Sequence, residues 1–249
     1  MPIELKGPEE IALMRQAGRA DAEVLAILRQ EVRPGLMLKR LDDIVRREFA
    51  KRKVVPTFLH YQGYPARVCV SVNDEVVHGI PDRRVLREGD IVSIDLGATY
   101  KGFVGDAAIT VGVGWTSPEA ERLVRVTEEA LWEGIRAAKA GARLGEISAA
   151  IQAHAEGNGF SVVREYVGHG VGRSMHEEPQ VPNFGPPDRG PLLEKGMTLA
   201  LEPMVTAGDW RTKKDSDGWT VRTADGSLAA HFEHTIVITE GEAEVLTLP

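Results

Sequence analysis

Acidic side chains stand inside or directly after apolar segments at three places in the sequence. Asp95 follows Ile-Val-Ser-Ile, Glu202 follows Met-Thr-Leu-Ala-Leu, and Glu233 lies just before Ile-Val-Ile. A carboxylate in a buried strand is costly unless it is paired, protonated or bound to a metal. Most acids in folded proteins lie at the surface, so three at apolar strand positions are unusual. The pattern predicts that these carboxylates share a cation.

Two further residues extend this set. Asp106 follows Asp95 by eleven residues, and a β-ribbon turning between them brings both side chains to one point. His169 stands between two glycines, which let the backbone come close to a bound ion. Alone, Asp106 reads as a turn cap and His169 as part of a flexible loop that lacks the spacing of a nucleotide-binding glycine loop. The combination favours metal ligands.

The type of ligand indicates the type of metal. Two Asp, one His and two Glu form an oxygen-rich set that suits Mn²⁺, Fe²⁺, Co²⁺ or Zn²⁺, with no thiolate to select zinc alone. Four carboxylates leave excess negative charge around one ion, and two divalent ions about 3.5–4 Å apart balance it better.

Two more histidines are candidates for the same site. His176 begins an imperfect copy of the zinc-protease motif H-E-x-x-H, because position 180 is Gln, and we interpret it as a neutral hydrogen-bond donor beside the metals. His78, in Val-Val-His-Gly-Ile-Pro, is the other candidate. The alternative for His78 is a hydrogen-bonded histidine of the core.

Hydrophobic periodicity predicts the elements that must position these side chains. Helices are expected over 8–31, 39–51, 118–139 and 144–156. Strands are expected over 68–72, 91–96, 198–205, 219–223, 231–239 and 243–247, with a β-ribbon through 110–113. The Pro- and Gly-rich stretch 178–191 is predicted to be a loop near the site.

An internal repeat organises the chain as one domain, 1–249. Segment 33–41 resembles 139–147, and segment 88–95 resembles 195–202, in the same order and at nearly the same offset. Such self-similarity predicts two related halves, about 8–113 and 117–249. If they pack about a pseudo-two-fold axis, Asp95 and Glu202 occupy equivalent places near it.

Composition excludes several function classes. Of 249 residues, 43% are hydrophobic and 27% charged, as in soluble globular proteins, and the net charge of −7 argues against nucleic acid as a specific partner. Cys69 is the single cysteine, so no internal disulfide forms. With no signal-peptide pattern and no apolar run of membrane-spanning length, we expect a cytoplasmic protein with no membrane partner.

The ordered set of motifs resembles the type I methionine aminopeptidases across residues 8–248. The matching residues are His78-Gly79, Asp95, Asp106, Gly168-His169-Gly170, His176, Glu202-Pro203 and Glu233-His234-Thr235. The resemblance implies an α+β fold of the pita-bread (creatinase/aminopeptidase) type, with two pseudo-symmetric halves around a curved antiparallel sheet. With 94 residues before Asp95 and no large insertion, the chain resembles the short bacterial form.

This resemblance also implies an activity. Members remove the initiator methionine from nascent proteins and peptides whose second residue is small, by dinuclear-metal-assisted amide hydrolysis. By this resemblance the two divalent ions (Co, Mn, Fe or Zn) are held by Asp95, Asp106, His169, Glu202 and Glu233. Glu202 is then also the general base, His78 contacts the scissile amide, and His176 hydrogen-bonds the carbonyl oxygen.

The resemblance further implies a pocket for the methionine side chain. Its walls are expected to be Tyr61, Tyr64, Cys69 and Trp219, flanked by Phe58 and Met175. Such apolar and aromatic walls suit a flexible thioether. Phe58 stands where the family often has Cys, and Met175 where it often has Phe, so the shape of this pocket is left open. Ordinary core packing is the alternative for these aromatics, above all for Tyr64.

Three rival functions remain at this point. One is an X-Pro aminopeptidase or a proline dipeptidase, which usually carries an added N-terminal domain. Another is a metal-free binding module on the same fold, against which the five filled ligand positions count. The third is a creatine-type hydrolase of small molecules. For the partners, the expectations are peptide or nascent-chain N-termini, transient ribosome contact and a monomeric state.

Overall fold

Two pairs of helices flank a curved antiparallel sheet in the computed structural model, which describes residues 2–249. The helices are α1 Pro8–Glu31, α2 Lys39–Arg52, α3 Pro118–Ala137 and α4 Leu144–Gly157. The larger strands are β2 Cys69–Val72, β4 Ile91–Tyr100, β5 Phe103–Gly112, β8 Glu177–Val181, β9 Thr198–Leu201 and β14 Glu233–Val237. The shorter strands are β1 Val55–Pro56, β3 Glu75–Val77, β6 Ser161–Val162, β7 Gly168–Gly170, β10 Met204–Thr206, β11 Thr212–Lys214, β12 Val221–Thr223, β13 Ala229–His231 and β15 Glu244–Val245.

Local sequence signals fix where the helices begin. Pro8 and Pro118 lie in the first turns of α1 and α3, where the missing N–H costs nothing. The Glu10 carboxylate accepts a hydrogen bond from Gly7 N, and Ser117 Oγ accepts one from Ala120 N. These bonds satisfy N–H groups that a helix start leaves unpaired. All four helices lie where hydrophobic periodicity predicts them, within two residues at each end.

The strands depart from the prediction at four places. β4 does not end near Asp95 but continues to Tyr100, because it forms a long hairpin with β5. The predicted strand 198–205 is divided into β9 and β10 at Glu202 and Pro203, since proline cannot donate to a ladder. Likewise 231–239 is divided at Phe232. Part of the predicted loop 178–191 is strand β8, whose proline at position 179 obscured it.

The main sheet is symmetric in its strand order. The path runs β1–β4–β5–β14–β9–β7–β8, with β2 also paired to β4 and β15 to β14. The β5–β14 pair therefore lies at the centre, with β4 on one side and β9 on the other. Buried side chains of α1 and α2 pack with β4, while those of α3 and α4 pack with β9 and β14. This arrangement is what the internal repeat predicts; the boundary between the halves stays a prediction.

Helix α1 approaches the sheet unusually closely at one point. A Cβ at Gly105 of β5 would lie 2.6 Å from Gly18 N, and a Cβ at Gly18 would overlap the Leu246 carbonyl oxygen. Only glycine at both positions allows this separation. Since Gly105 precedes Asp106, the contact also fixes the strand that carries this acid.

No helix within residues 2–249 is both long enough and apolar enough to span a membrane.

We predict that Gly18→Ala lowers the free energy of unfolding by about 1–3 kcal/mol, because the added methyl group meets backbone that cannot move aside. Gly157→Ala is the matched control, since a Cβ there meets nothing within 4 Å. In the control, alanine in place of glycine changes stability by about 1 kcal/mol or less, in the stabilising direction. Urea unfolding measures both. Equal stability of the two variants would contradict the close contact.

Candidate metal centre

Cross-strand pairing brings acids from different strands into one row. Asp95 of β4 is opposite Ala108 of β5, and Ala108 is opposite Glu233 of β14. His234 is opposite Leu201, so Glu202, one residue beyond β9, comes beside Glu233. Directly opposed residues of antiparallel strands project from the same face. Three carboxylates from three segments therefore face the same space.

The period-two alternation of strands places the other two residues on that face. Asp106 precedes Ala108 by two residues in β5. His169 of β7 is opposite Ala200, which precedes Glu202 by two residues in β9. All five predicted ligands thus project from one face near the centre of the sheet.

A threonine holds Asp106 in place. Thr235 Oγ1 accepts a hydrogen bond from Asp106 N at 3.0 Å and donates one to Asp106 O at 2.9 Å. The threonine side chain thereby takes the place of a backbone partner where β5 and β14 separate. This role follows from no simple sequence pattern, although Thr235 was part of the matched Glu-His-Thr motif.

Three of the side chains could hold one ion as they stand. Ligand atoms of Asp106, His169 and Glu233 all lie within 4.8 Å of one another, and all three residues are buried. His169 Nε2 lies 3.5 Å from Glu202 Oε1 and 3.8 Å from Asp106 Oδ2. His169 Nδ1 lies 2.9 Å from Gly170 O, to which it donates, so Nε2 is left as a free lone pair facing the acids. A histidine that ligates a metal needs this tautomer.

The electrostatics of the cluster also favour a cation. Burial raises the pKa of Asp95 to about 8. Burial, and then repulsion from neighbouring acids, raises the pKa of Asp106, Glu202 and Glu233 well above the ordinary range. Burial lowers the pKa of His169 to about 3, so its ring is neutral. A divalent ion reverses the cost of ionising such acids.

Several carboxylate oxygens have no hydrogen-bond partner. Asp95 Oδ1, Asp106 Oδ1 and Glu233 Oε1 are buried and unpaired. Most buried polar atoms have a partner, so three unpaired oxygens at one point are exceptional. The structure therefore contains a buried Asp/His/Glu cluster compatible with metal binding.

A cavity of about 200 Å³ opens from the acids. Its lining includes each of the residues that the sequence assigned to catalysis, metal binding or the methionine pocket. They are Phe58, Tyr61, Tyr64, Cys69, His78, Asp95, Asp106, His169, Met175, His176, Glu202, Trp219 and Glu233. Four other lining residues were not predicted, namely Gln62, Val77, Tyr166 and Val167.

Aromatic contacts shape the apolar end of this cavity. The Tyr64 and Trp219 rings meet edge to face, with centroids 5.1 Å apart. The Tyr64 hydroxyl donates to the carbonyl oxygens of Gly79 and Val68, so this tyrosine is both a pocket wall and a core residue. His78 has a left-handed backbone, and its ring forms a T-shaped pair with that of Tyr166, with centroids 5.9 Å apart. Burial lowers the pKa of His78 to about 4.

Sequence reasoning missed two buried polar residues at the centre. His231 Nε2 lies 3.7 Å from Glu202 Oε2 and 4.0 Å from Glu233 Oε2, and neither ring nitrogen has a hydrogen-bond partner. Its position two residues before Glu233 is the signal that could have found it. Asp21 of α1 is fully buried, and burial together with repulsion from Asp95 raises its pKa. Asp21 lies within helix α1, so no apolar strand segment marks it as a site residue in the sequence.

Comparison with known proteins agrees with this geometry. Residues 12–240 match the model of "Metallopeptidase family M24". The methionine aminopeptidase 1 of Bacillus subtilis is 51% identical over 245 residues, which cover 98% of this chain and 99% of that protein. The chain belongs to metallopeptidase family M24. The resemblance to methionine aminopeptidases predicted from the ordered motifs is confirmed.

Similar solved structures confirm the pita-bread fold. A methionine aminopeptidase from Thermotoga maritima superimposes with a TM-score of 0.99, with 52% identity and full coverage of both chains. A prolidase from Pyrococcus furiosus superimposes with a TM-score of 0.81 at 22% identity, covering 98% of this chain and 65% of that one. The second likeness concerns the fold alone.

We predict that Mn²⁺ stabilises this M24 chain against urea, and more strongly at pH 8 than at pH 6. At about 100 times its dissociation constant, the ion adds about 3 kcal/mol to the free energy of unfolding. Because folding raises the pKa of Asp95, protonation of this residue contributes to the stability of the metal-free protein. The contribution is complete only below the ordinary carboxyl pKa. That contribution is lost as the pH rises through about 8, where the ion no longer competes with a proton.

Two variants control this measurement. Asp106→Asn removes a charge from the cluster and should abolish most of the gain, whereas Asp188→Asn, at an exposed side chain, should keep it. A gain that is the same in both variants, or larger at pH 6, would show that the ion binds elsewhere.

Proposed function

We propose that this enzyme removes the N-terminal methionine from nascent proteins and peptides whose second residue is small. The observation that carries the proposal is that the buried acids line the same cavity as a set of apolar and aromatic side chains. A free N-terminus entering there places its first side chain in the pocket and its first amide beside the carboxylates. The curated relatives named methionine aminopeptidases share about half of all residues over the full chain.

We assign two divalent ions to Asp95, Asp106, His169, Glu202 and Glu233. The support is the face that these side chains share, the free lone pair of His169 Nε2 and the three unpaired carboxylate oxygens. When bound, such ions polarise the scissile carbonyl and lower the pKa of water, so that hydroxide is available as the nucleophile at neutral pH. Which of Co, Mn, Fe or Zn serves is left to the metal-reconstitution assay below.

Glu202 is the proposed general base. It lies between β9 and Pro203 and lines the cavity, and its side chain is 14% exposed whereas those of Asp106 and Glu233 are 3% exposed. A carboxyl group whose pKa is raised by burial is suited to accept a proton near neutral pH and return it to the leaving amine.

Two neutral histidines are proposed to bind the reacting amide. His78 is assigned to the scissile amide and the leaving amine, and His176 to the carbonyl oxygen as negative charge develops. Lowered pKa values keep both rings uncharged, so each offers one N–H donor without adding positive charge beside the metals. Such preorganised donors stabilise the transition state more than the substrate.

The methionine side chain is assigned to the apolar end of the cavity. Tyr61, Tyr64, Cys69 and Trp219 form its walls, with Phe58 and Met175 at the flanks. Burial raises the pKa of Cys69 well above its ordinary value, so this wall is an uncharged thiol. A neutral, polarisable surface suits a thioether.

The proposed substrate also indicates the cellular location of the enzyme. Initiator methionine is exposed where chains are synthesised, so we propose that the reaction takes place in the cytoplasm. Transient contact with the ribosome and a monomeric state stay predictions. One rival function is proline-specific hydrolysis. The prolidase from Pyrococcus furiosus shares the fold with this chain at 22% identity.

We predict that metal-depleted protein regains cleavage of Met-Ala-Ser, and not of Met-Lys-Ser, on addition of Co²⁺, Mn²⁺, Fe²⁺ or Zn²⁺. Loss of the general base in Glu202→Gln lowers kcat by at least about 100-fold. Release of free methionine measures both effects. Asp188→Gln, at an exposed acid, is the matched control with unchanged kcat.

Two results would overturn the proposal. Cleavage of X-Pro peptides in preference to Met-Ala-Ser would favour the proline-specific alternative. A folded protein that cleaves no peptide with any of the four metals would favour a binding module or a small-molecule hydrolase.

A further inference from the structure

We propose that Tyr61 is a positioning residue that fixes the proton of His176 on Nε2, the ring nitrogen that faces away from the tyrosine. The inference rests on the proposed function, since it explains how His176 presents a donor to the substrate carbonyl. It gives Tyr61 a role beyond its place in the wall of the methionine pocket.

The contact between the two side chains is short and specific. The Tyr61 hydroxyl lies 2.7 Å from His176 Nδ1, and the two ring centroids are 5.5 Å apart. A phenol is a good donor, and a neutral imidazole nitrogen without a proton is a good acceptor. Within residues 2–249 the Tyr61 hydroxyl has no other hydrogen-bond partner, so Nδ1 is the acceptor available for its proton. Donation to Nδ1 requires that the single proton of the neutral ring stay on Nε2.

The surroundings make that choice of tautomer matter. The His176 ring packs against His169, with centroids 4.3 Å apart, and both rings line the cavity with Glu202. A donor on Nε2 can bind a carbonyl oxygen at the cavity, whereas a bare Nε2 would repel it. Only one of the two neutral tautomers can thus stabilise developing negative charge.

The backbone around Tyr61 is strained in a way that holds its ring. His60 and Gln62, on either side of it, have φ values of 67° and 47°, and Gly63 has 90°. Left-handed backbone at non-glycine residues costs free energy and persists only where other contacts impose it. Here Tyr61 N donates to Phe58 O, and His60 N donates to Tyr64 O. This short 3-10 turn, Tyr61–Gly63, directs the hydroxyl at His176.

The neighbouring tyrosine shows that the interaction is particular to Tyr61. Tyr64 lines the same pocket, but its hydroxyl is used by the backbone carbonyls of Val68 and Gly79 and does not reach a catalytic group. Among the tyrosines of residues 2–249, only Tyr61 has a hydroxyl bonded to a histidine.

Nitrogen-15 NMR of the histidine rings tests the proposal without any activity. The zinc-loaded enzyme is used at pH 8, since Zn²⁺ is a closed-shell ion and the ring of His176 is neutral there. His176→Ala identifies the signals. In the unmodified protein we expect the proton of His176 on Nε2 alone, and in Tyr61→Phe a mixture with the Nδ1-protonated form. Tyr100→Phe, which loses a hydroxyl away from the cavity, should leave the His176 signals unchanged.

Kinetics provide the second readout. Tyr61→Phe keeps the pocket ring, so we expect KM to change less than about twofold while kcat falls about tenfold, part of what an oxyanion donor supplies. In a His176→Ala background the same substitution should lower kcat by less than about twofold, because the hydroxyl acts only through that ring. A loss of kcat that persists in this background would overturn the proposal.

The two proposals can fail separately. If the unmodified protein cleaves no methionine peptide, the proposed function fails, while NMR still decides the tautomer. A His176 proton on Nδ1 in the unmodified protein, or an identical distribution in Tyr61→Phe, would overturn the role of Tyr61 and leave the aminopeptidase intact.

Discussion

The cost of burying four carboxylates at one point is the constraint on which the rest of this structure depends. Without a counter-charge, each acid is driven toward its protonated form, as the raised pKa values of Asp95, Asp106, Glu202 and Glu233 indicate. Divalent cations convert this cost into binding free energy. In the proposed function, the same cluster would hold the ions that stabilise the folded protein and lower the pKa of the attacking water.

The strand order of the main sheet brings these acids together. Its central β5–β14 pair carries Asp106 and Glu233, the flanking β4 supplies Asp95, and Glu202 follows β9 directly. Because α1 approaches β5 through two glycines, the strand cannot shift without a clash. The acids are therefore held by rigid backbone, and the apolar pocket beside them is the proposed binding site for the first side chain of the substrate.

Much of this could be predicted from the sequence, because the strongest signals were local. Acids at apolar strand positions stand out, and helical periodicity located all four helices. The features that were missed act through space: His231, and the role of Thr235 in holding Asp106, depend on which strands these residues meet. The extension of β4 to Tyr100 and the break at Phe232 also depend on pairing between distant segments. No pattern within a single segment encodes them.

Anomalous scattering from crystals grown with Mn²⁺ would show whether the buried acids hold metal ions. We expect two peaks on the cavity side of the sheet, in contact with Asp95, Asp106, His169, Glu202 and Glu233, and in contact with no acid at the surface. A map without peaks at this point, with the five side chains bonded to one another or to water, would contradict the claim that a metal is what makes this cluster stable.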